Sequence, residues 1–345
     1  MTKTCAIVSF RLGGNDGVAV VARTWERALH QLGWQTITIA GDSPADYNLD
    51  VHVEGLGMAP SPTVDVPTLT TAVEGADLLL CENILSLPLN PAATRAVSNA
   101  AASMPTIAHH HDLTWQSERY HHLDYTIPQA DHLRHVVINQ QSLDEFTQRY
   151  IPADLVYNCF DTSASPGNRQ TERATHRFEE NELVVVHPSR AIARKNIPAA
   201  IRLVEQLAGT YWLTGPAEND YEDELANLLR TANCRIVHQP ATNMADMYAA
   251  SDLVVFPSHW EGFGNPPIEA AIFRRLAAVG AYPVSAELRN LGFVWFDPSD
   301  PHLIQQALQS DHQEVLAHNA ALAQQHFSFD RLVSDIDALL ASMFT

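Results

Sequence analysis

Lysine is nearly absent from this 345-residue chain: Lys3 and Lys195 stand against 19 arginines. The 40 acidic residues outnumber the 21 basic ones, and the formal net charge of −19 argues against nucleic acid or an anionic membrane surface as the main partner. An anionic ligand would need a site built locally, so the position of Lys195 carries information. Cysteine is also sparse. Cys5, Cys81, Cys159 and Cys234 lie far apart, match no CxxC or metal spacing, and read as reduced core thiols. No uncharged apolar run reaches the roughly 18 residues that a membrane span needs. The opening MTKTCAIVSF holds too short an apolar stretch for a cleaved signal, and a cytoplasmic protein is expected. GxGxxG, P-loop, HExxH, GxSxG and EF-hand patterns are all missing. The one DxD, Asp335 to Asp337, falls in a helical stretch and reads as helix surface.

What is present is enough apolar residue, 46% of the chain, for two hydrophobic cores. Apolar runs that read as buried strands alternate with stretches of helical periodicity: CAIVSF, QTITIAG, ADLLLCEN, PTIAHH, HVVIN and DLVYN in the first half. Residues 42–70 are rich in Pro and Gly, and one or two short strands are expected there. A polar stretch, 161–181, then interrupts the pattern. It resumes with ELVVVHP, TYWLTG, CRIVHQ, DLVVFPS and LAAVGAYPV, again separated by helical stretches. Such alternation implies α/β domains with parallel sheets, two doubly wound Rossmann-like domains in series. The expected boundaries are 1–165 for the first domain, 166–182 for a linker and 183–326 for the second. A C-terminal helix, 327–345, could cross back to the first domain. Ligands of such sheets lie beyond the carboxyl ends of the strands, so two facing domains would place both loop sets on one cleft.

Four loops that follow strands carry candidate chemistry. In FPSHWEGFGNPPIEA, Glu261 precedes Gly262, Phe263 and Gly264, and Glu269 lies near the start of a helix that Pro266 and Pro267 open. Carboxylates are natural acceptors for paired hydroxyls, and free N–H groups at the helix start favour an anion. In HPSRAIARK, Arg190 and Lys195 stand five positions apart with Arg194 beside them, where cations can neutralise a diphosphate. The loop RLGGNDG offers Gly13 and Gly14 for close backbone approach to a phosphate. In AHHHDLTW, His109, His110, His111 and Asp112 follow a strand. The spacing of these histidines fits no metal cage, so no metal is expected. His111 is the candidate to donate a hydrogen bond to a sugar, with Asp112 fixing its tautomer. Each loop read alone is also consistent with an ordinary turn or solvated charge. Read together, the cationic pair and the two glutamates are expected to converge on one pocket.

These residues resemble the retaining glycosyltransferases of family 4, which have the GT-B fold, over most of the chain. EGFGNPPIEA resembles that family's E-x7-E motif at Glu261 and Glu269, SRAIARK its Arg-x4-Lys site at Arg190 and Lys195, RLGGNDG its glycine loop, and IAHHHD its acceptor-side histidine segment. The resemblance implies that Glu269 binds the ribose of a nucleoside-diphosphate sugar and that Glu261 with Gly262 to Gly264 binds the transferred sugar. It also implies that Arg190 and Lys195 hold the diphosphate, that Gly14 approaches it, and that His111 touches the sugar. Donor binding thus falls to Gly13, Gly14, Arg190, Lys195, Glu261, Gly262, Phe263, Gly264 and Glu269, and the acceptor side to His109, His110 and Asp112. A UDP- or GDP-linked hexose, a small soluble acceptor and no essential metal or other cofactor are expected. Asn265, the double proline and the run AAIFRRLAAVGAYPVS depart from the family pattern and leave the base and sugar open. A phosphorylase, a UDP-sugar epimerase and an inactive nucleotide-sugar-binding protein remain the alternatives.

Overall fold

The computed structural model describes residues 2–344 except 15, 117–119, 121, 124 and 219. Contacts divide the chain into two compact units, Met1–Cys159 with Phe329–Thr345 (unit 1) and Phe160–Ser328 (unit 2). In unit 1, β1 (Thr4–Arg11), β2 (Gln35–Asp42), β3 (Val51–His52), β4 (Leu78–Glu82), β5 (Thr106–His110), β6 (Leu133–Val137) and β7 (Ala153–Leu155) form a parallel sheet. Its order is β3-β2-β1-β4-β5-β6-β7. Four helices, α1 (Gly17–Gln31), α2 (Val66–Val73), α3 (Pro91–Ala101) and α4 (Gln140–Gln148), connect successive strands. Within residues 42–70 only the two-residue β3 is strand; the β-branched run VPTLTTAV is helical instead. Asp65 decides this locally, because its side chain accepts from the Thr68 N–H and Pro67 suits the first turn.

Unit 2 repeats the plan with β8 (Val184–His187), β9 (Thr210–Leu213), β10 (Arg235–His238), β11 (Leu253–Phe256) and β12 (Leu276–Val279) in the order β10-β9-β8-β11-β12. Its helices are α5 (Arg169–Thr175), α6 (Ile197–Gln206), α7 (Glu222–Thr231), α8 (Met244–Ala250), α9 (Asn265–Ile272), α10 (Pro283–Asn290), α11 (Pro301–Leu308) and α12 (Gln313–Phe327). The polar stretch expected as a linker over 166–182 is corrected, since it contains α5 and packs on this unit. Its charges are spent on pairing rather than on solvation. The Arg173 guanidinium donates to the carbonyls of Ala250 (2.9 Å) and Glu182 (2.7 Å), Arg169 pairs with Asp252 at 2.6 Å, and buried Glu172 holds His176 and the Thr242 N–H. Low apolar content was therefore a poor guide to exposure here.

The last helical stretch is broken at Ser328, and α13 (Phe329–Met343) belongs to unit 1. Leu332, Ile336, Leu339 and Leu340 recur at helical spacing and pack with Trp25, Leu29, Cys5 and Ile7 on one face of the sheet. In both sheets the strand order reverses beside the first strand, between β1 and β4 in unit 1 and between β8 and β11 in unit 2. At such a reversal the connections leave toward opposite faces and open a crevice at the strand ends. The glycine, cation and glutamate loops follow β1, β8 and β11 at these reversals, and the histidine segment follows β5 beside β4.

Candidate active site

In unit 2, β8 and β11 pair through Val185 with Leu253 and Val186 with Val254, so the loops beyond them rise side by side. The first loop passes Arg190, closes a single 3-10 turn over Ala193–Lys195, and enters α6 through Asn196 at φ 53°. That turn aims two cations at one acid. The Lys195 Nζ donates to Glu261 Oε1 at 2.6 Å, and Arg194 Nη1 donates to Glu261 Oε2 at 2.6 Å and to the Trp260 carbonyl at 2.9 Å. Lysine and glutamate are rarely buried unless paired, and these two are 8% and 6% exposed. Burial pushes the Lys195 ammonium below its ordinary pKa; Glu261 opposes the shift, while the Arg194 and Arg190 charges add to it.

Arg190 does not bond this carboxylate, although its charge is felt at Lys195. Ala191 bridges to Ala217, and this places Glu218 where the exposed Arg190 guanidinium meets it at 2.7 Å. Arg194, expected beside them but given no role of its own, bonds Glu261 instead. The adjacent lysine was its only sequence signal.

Glu269 sits in the second turn of α9, one turn later than expected, because the helix starts at Asn265. Its Oε2 accepts from the Tyr248 hydroxyl at 2.6 Å, and burial raises its carboxyl pKa despite that bond. Tyr248, which stacks on Phe273, is a second site residue that the sequence did not single out. Gly264 caps the helix at φ +89°, and a Cβ there would stand 2.6 Å from the Tyr282 hydroxyl. The two prolines remove two of the first N–H donors of α9, so the expected anion-binding array is thinner than a helix start usually provides. The Phe263 ring packs with Phe160 and Phe327, so the ring is part of the core rather than a ligand contact. Among the described residues, the Tyr282 hydroxyl, Ser258 Oγ and His187 Nε2 are buried with no hydrogen-bond partner. Burial, with the Lys195 charge nearby, brings His187 down to about 3.

In unit 1, β4 and β5 are buried along their full length, so any polar side chain on them must find a partner. Side chains alternate along a strand, so His109 and His111 share one side while His110 faces the other. His111 Nε2 lies 2.8 Å from Glu82 Oε2, and His109 Nδ1 lies 3.0 Å from the same oxygen. His110 instead meets His135 Nδ1 at 2.9 Å beside Phe146, which removes it from the acceptor-side group. Asp112 does not orient His111 either. Its carboxylate accepts from Asn83 Nδ2 at 2.9 Å, while Asn83 Oδ1 accepts from the backbone N–H groups of His111 and Asp112, each at 3.0 Å. The true orienting acid, Glu82, ends the apolar run LLLCE, and that lone charge was its signal. Burial alone would raise the Glu82 carboxyl, but His109 and His111 hold it down to about 2. Burial lowers His109, which accordingly serves as a neutral N–H donor.

Glu82, His109 and His111 are also the one group among the described residues whose ligand atoms, all within 4.8 Å of one another, could hold a metal. One nitrogen of each histidine already faces the carboxylate. The glycine loop is arranged differently from the expected phosphate cradle. Gly13, at φ +82°, leaves no room for a Cβ against the Tyr47 ring. Asp16 occupies the N-terminus of α1, accepting from Ala19 N–H at 3.2 Å and pairing with Arg11 at 2.9 Å. The Gly14 carbonyl accepts from Arg23 at 2.7 Å. An open cavity of about 360 Å³ beside the loop is lined by Arg11, Gly14, Asp16, Asp42, Ser43 and Pro44, two carboxylates against one cation.

The model of the family described as glycosyl transferases group 1 matches residues 168–322, which lie within unit 2 and span the Lys195, Glu261 and Glu269 loops. Over that segment the chain matches the group 1 glycosyl transferases. The chain is 24% identical to the mannosylglucosylglycerate synthase of Petrotoga mobilis, over 83% of this chain and 84% of that protein. It is also 24% identical to the enzyme of the same name from Thermotoga maritima, over 95% of this chain and 97% of that protein. Its fold is GT-B: the Anabaena protein Alr3699/HepE, solved with UDP and glucose, superposes with a TM-score of 0.74 at 17% identity, covering 99% of this chain and 100% of the other. Sucrose-phosphate synthase from Thermosynechococcus elongatus matches with a TM-score of 0.72 at 15% identity, covering 99% of each chain. Among the described residues, no helix of the chain is long and apolar enough to cross a membrane.

Proposed function

We propose that the enzyme moves a hexose, with retention of configuration, from a UDP- or GDP-linked sugar to a hydroxyl of a small soluble acceptor, in the manner of family 4. The observation that carries this reading is the Lys195–Glu261 contact of 2.6 Å, with Glu269 held by Tyr248 in the same matched segment. Glu269 takes the ribose hydroxyls. Glu261 and the backbone of Gly262 to Gly264 take hydroxyls of the transferred sugar. Lys195 and Arg190 neutralise the departing diphosphate. Arg190 is free to do so because its partner Glu218 is exposed, and such surface pairs contribute only about 0–1 kcal/mol. Arg194 keeps Glu261 paired when Lys195 turns to the phosphates. In unit 1, His111 receives a sugar hydroxyl.

Fixed cations do the work that a divalent ion does elsewhere, so no metal is required, and the departing phosphate serves as the base toward the attacking hydroxyl. The acidic composition supports an enzyme acting away from anionic membrane surfaces, and a cytoplasmic location is part of this proposal. The complex of the Anabaena neighbour with UDP-glucose makes that the first donor to test, and the name shared by the two curated relatives supports a mannosyl donor and a small acceptor. The experiment is a thermal-shift panel of UDP-, GDP- and ADP-sugars, followed by assay of diphosphate release with candidate acceptors. Stabilisation by one donor and acceptor-dependent release are expected. Conversion of a nucleotide sugar without an acceptor, turnover only with inorganic phosphate, or donor binding without any release would each refute it.

A further inference from the structure

We infer that Glu82 is a positioning residue that fixes His111 as the Nε2–H tautomer, so that the Nδ1 edge of the ring is an obligate hydrogen-bond acceptor for a ligand hydroxyl. The inference rests on the proposed role of His111 at the sugar and goes beyond it in naming the atom, its polarity and the residue that imposes it. Three observations support it. First, the contact of His111 Nε2 with Glu82 Oε2 is 2.8 Å, and a fully buried carboxylate needs donors, so the nitrogen that faces it carries the hydrogen. Second, the partner cannot drift. Glu82 also receives His109 Nδ1, whose ring packs on Trp25 at 4.5 Å between centroids, and the carboxylate itself is wholly buried. Third, the next residue clamps the backbone: Asn83, in the left-handed region at φ 61°, accepts from the N–H groups of both His111 and Asp112.

Glu82 and Asn83 thus grip the side chain and the main chain of the same histidine. In a neutral imidazole only one nitrogen carries hydrogen, so committing Nε2–H to Glu82 leaves a lone pair at Nδ1. No described residue bonds Nδ1. The expected role of His111 as a hydrogen-bond donor to sugar is therefore reversed: the sugar hydroxyl donates and the imidazole accepts. Among the described residues, the titratable groups in contact with the ring are Glu82 and His109, and the neighbouring Asp112 carboxylate is tied to Asn83.

The test is nitrogen-15 NMR of the histidine rings in the full-length ligand-free protein at neutral pH, with the His111 signal assigned by its loss in His111→Ala. A protonated Nε2 and an unprotonated Nδ1 are expected; an Nδ1–H tautomer would overturn the inference whether or not the enzyme transfers sugar. In kinetics, Glu82→Gln is expected to lower kcat at least tenfold with donor KM within about twofold. An unchanged kcat in a folded Glu82→Gln variant would count against it, and if that variant fails to fold the tautomer measurement still decides. Titration with zinc gives a further arm: stoichiometric tight binding lost in Glu82→Gln would show a metal cluster instead, and no such binding is expected.

Discussion

Two carboxylates in this enzyme are buried beside candidate ligand positions, and they are held by opposite means. In unit 2 Glu261 faces an ammonium and a guanidinium, each at 2.6 Å. In unit 1 Glu82 faces two imidazoles at 2.8 and 3.0 Å, of which His109 is kept neutral by burial. A buried acid with full cations is half of an exchangeable set, since a phosphate can claim a cation while the other keeps the acid paired. A buried acid with imidazole donors is a fixture that sets the direction of a ring. The first arrangement suits a site where charge departs, and the second a site that must hold its shape.

The sharpest way to break the comparison is Lys195→Ala. Removing one partner of a buried pair typically costs about 3–5 kcal/mol, but Arg194 remains on Glu261, so a loss near about 3 kcal/mol is expected from urea denaturation. Donor turnover should fall tenfold or more, and Lys195→Arg should recover stability better than turnover. A variant as stable as the wild type would show that the contact is not load-sharing.

Acid separates the two regions next. His135 (about 4) and His110 in unit 1, and His187 (about 3) in unit 2, have native pKa values depressed by burial. The unfolded chain then binds protons that the native state refuses. Stability is full above about pH 6.5 and falls as pH drops toward those native values, by about 1.4 kcal/mol per pH unit for each histidine. Glu82 acts in the same direction in a lower window, from its ordinary value near 4.5 down to about 2. Urea midpoints measured from pH 7 to pH 4 should slope steeply, and His135→Phe should flatten that slope. An equal slope in the variant would contradict the assignment.

Much of this was legible in the residues. Apolar runs marked most of the strands, and Glu261, Glu269 and Lys195 stood in loops after strands, where ligands of parallel sheets bind. The pairings were not legible, because they join residues distant in sequence: Glu261 to Arg194, Glu269 to Tyr248, and His111 to Glu82. One error was avoidable. Three consecutive histidines at a strand end cannot share a side, and alternation alone separates His110 from its neighbours. The helix α5 was hidden for another reason, since its buried face is built from Glu172 and Arg173 rather than from apolar residues.

A smaller effect tests the helix start of the glutamate loop. Gly264→Ala adds a Cβ at φ +89° against the Tyr282 hydroxyl and should cost about 1–2 kcal/mol. Because that hydroxyl is buried without a partner, Tyr282→Phe should be close to neutral and should recover part of the Gly264→Ala loss. Additive losses in the double variant would contradict the contact. The smallest stability change is expected for Arg190→Ala, within about 0.5 kcal/mol because its pair is exposed, while donor KM rises. A stability loss as large as that of Lys195→Ala would place Arg190 among the buried pairs instead.

The most direct test of the donor site is calorimetric titration of the stabilising nucleotide sugar into the wild type, Lys195→Ala and Glu269→Ala. One molecule bound per chain, with affinity weakened about tenfold or more in each folded variant, is the predicted result. Unchanged affinity in both variants would contradict the account.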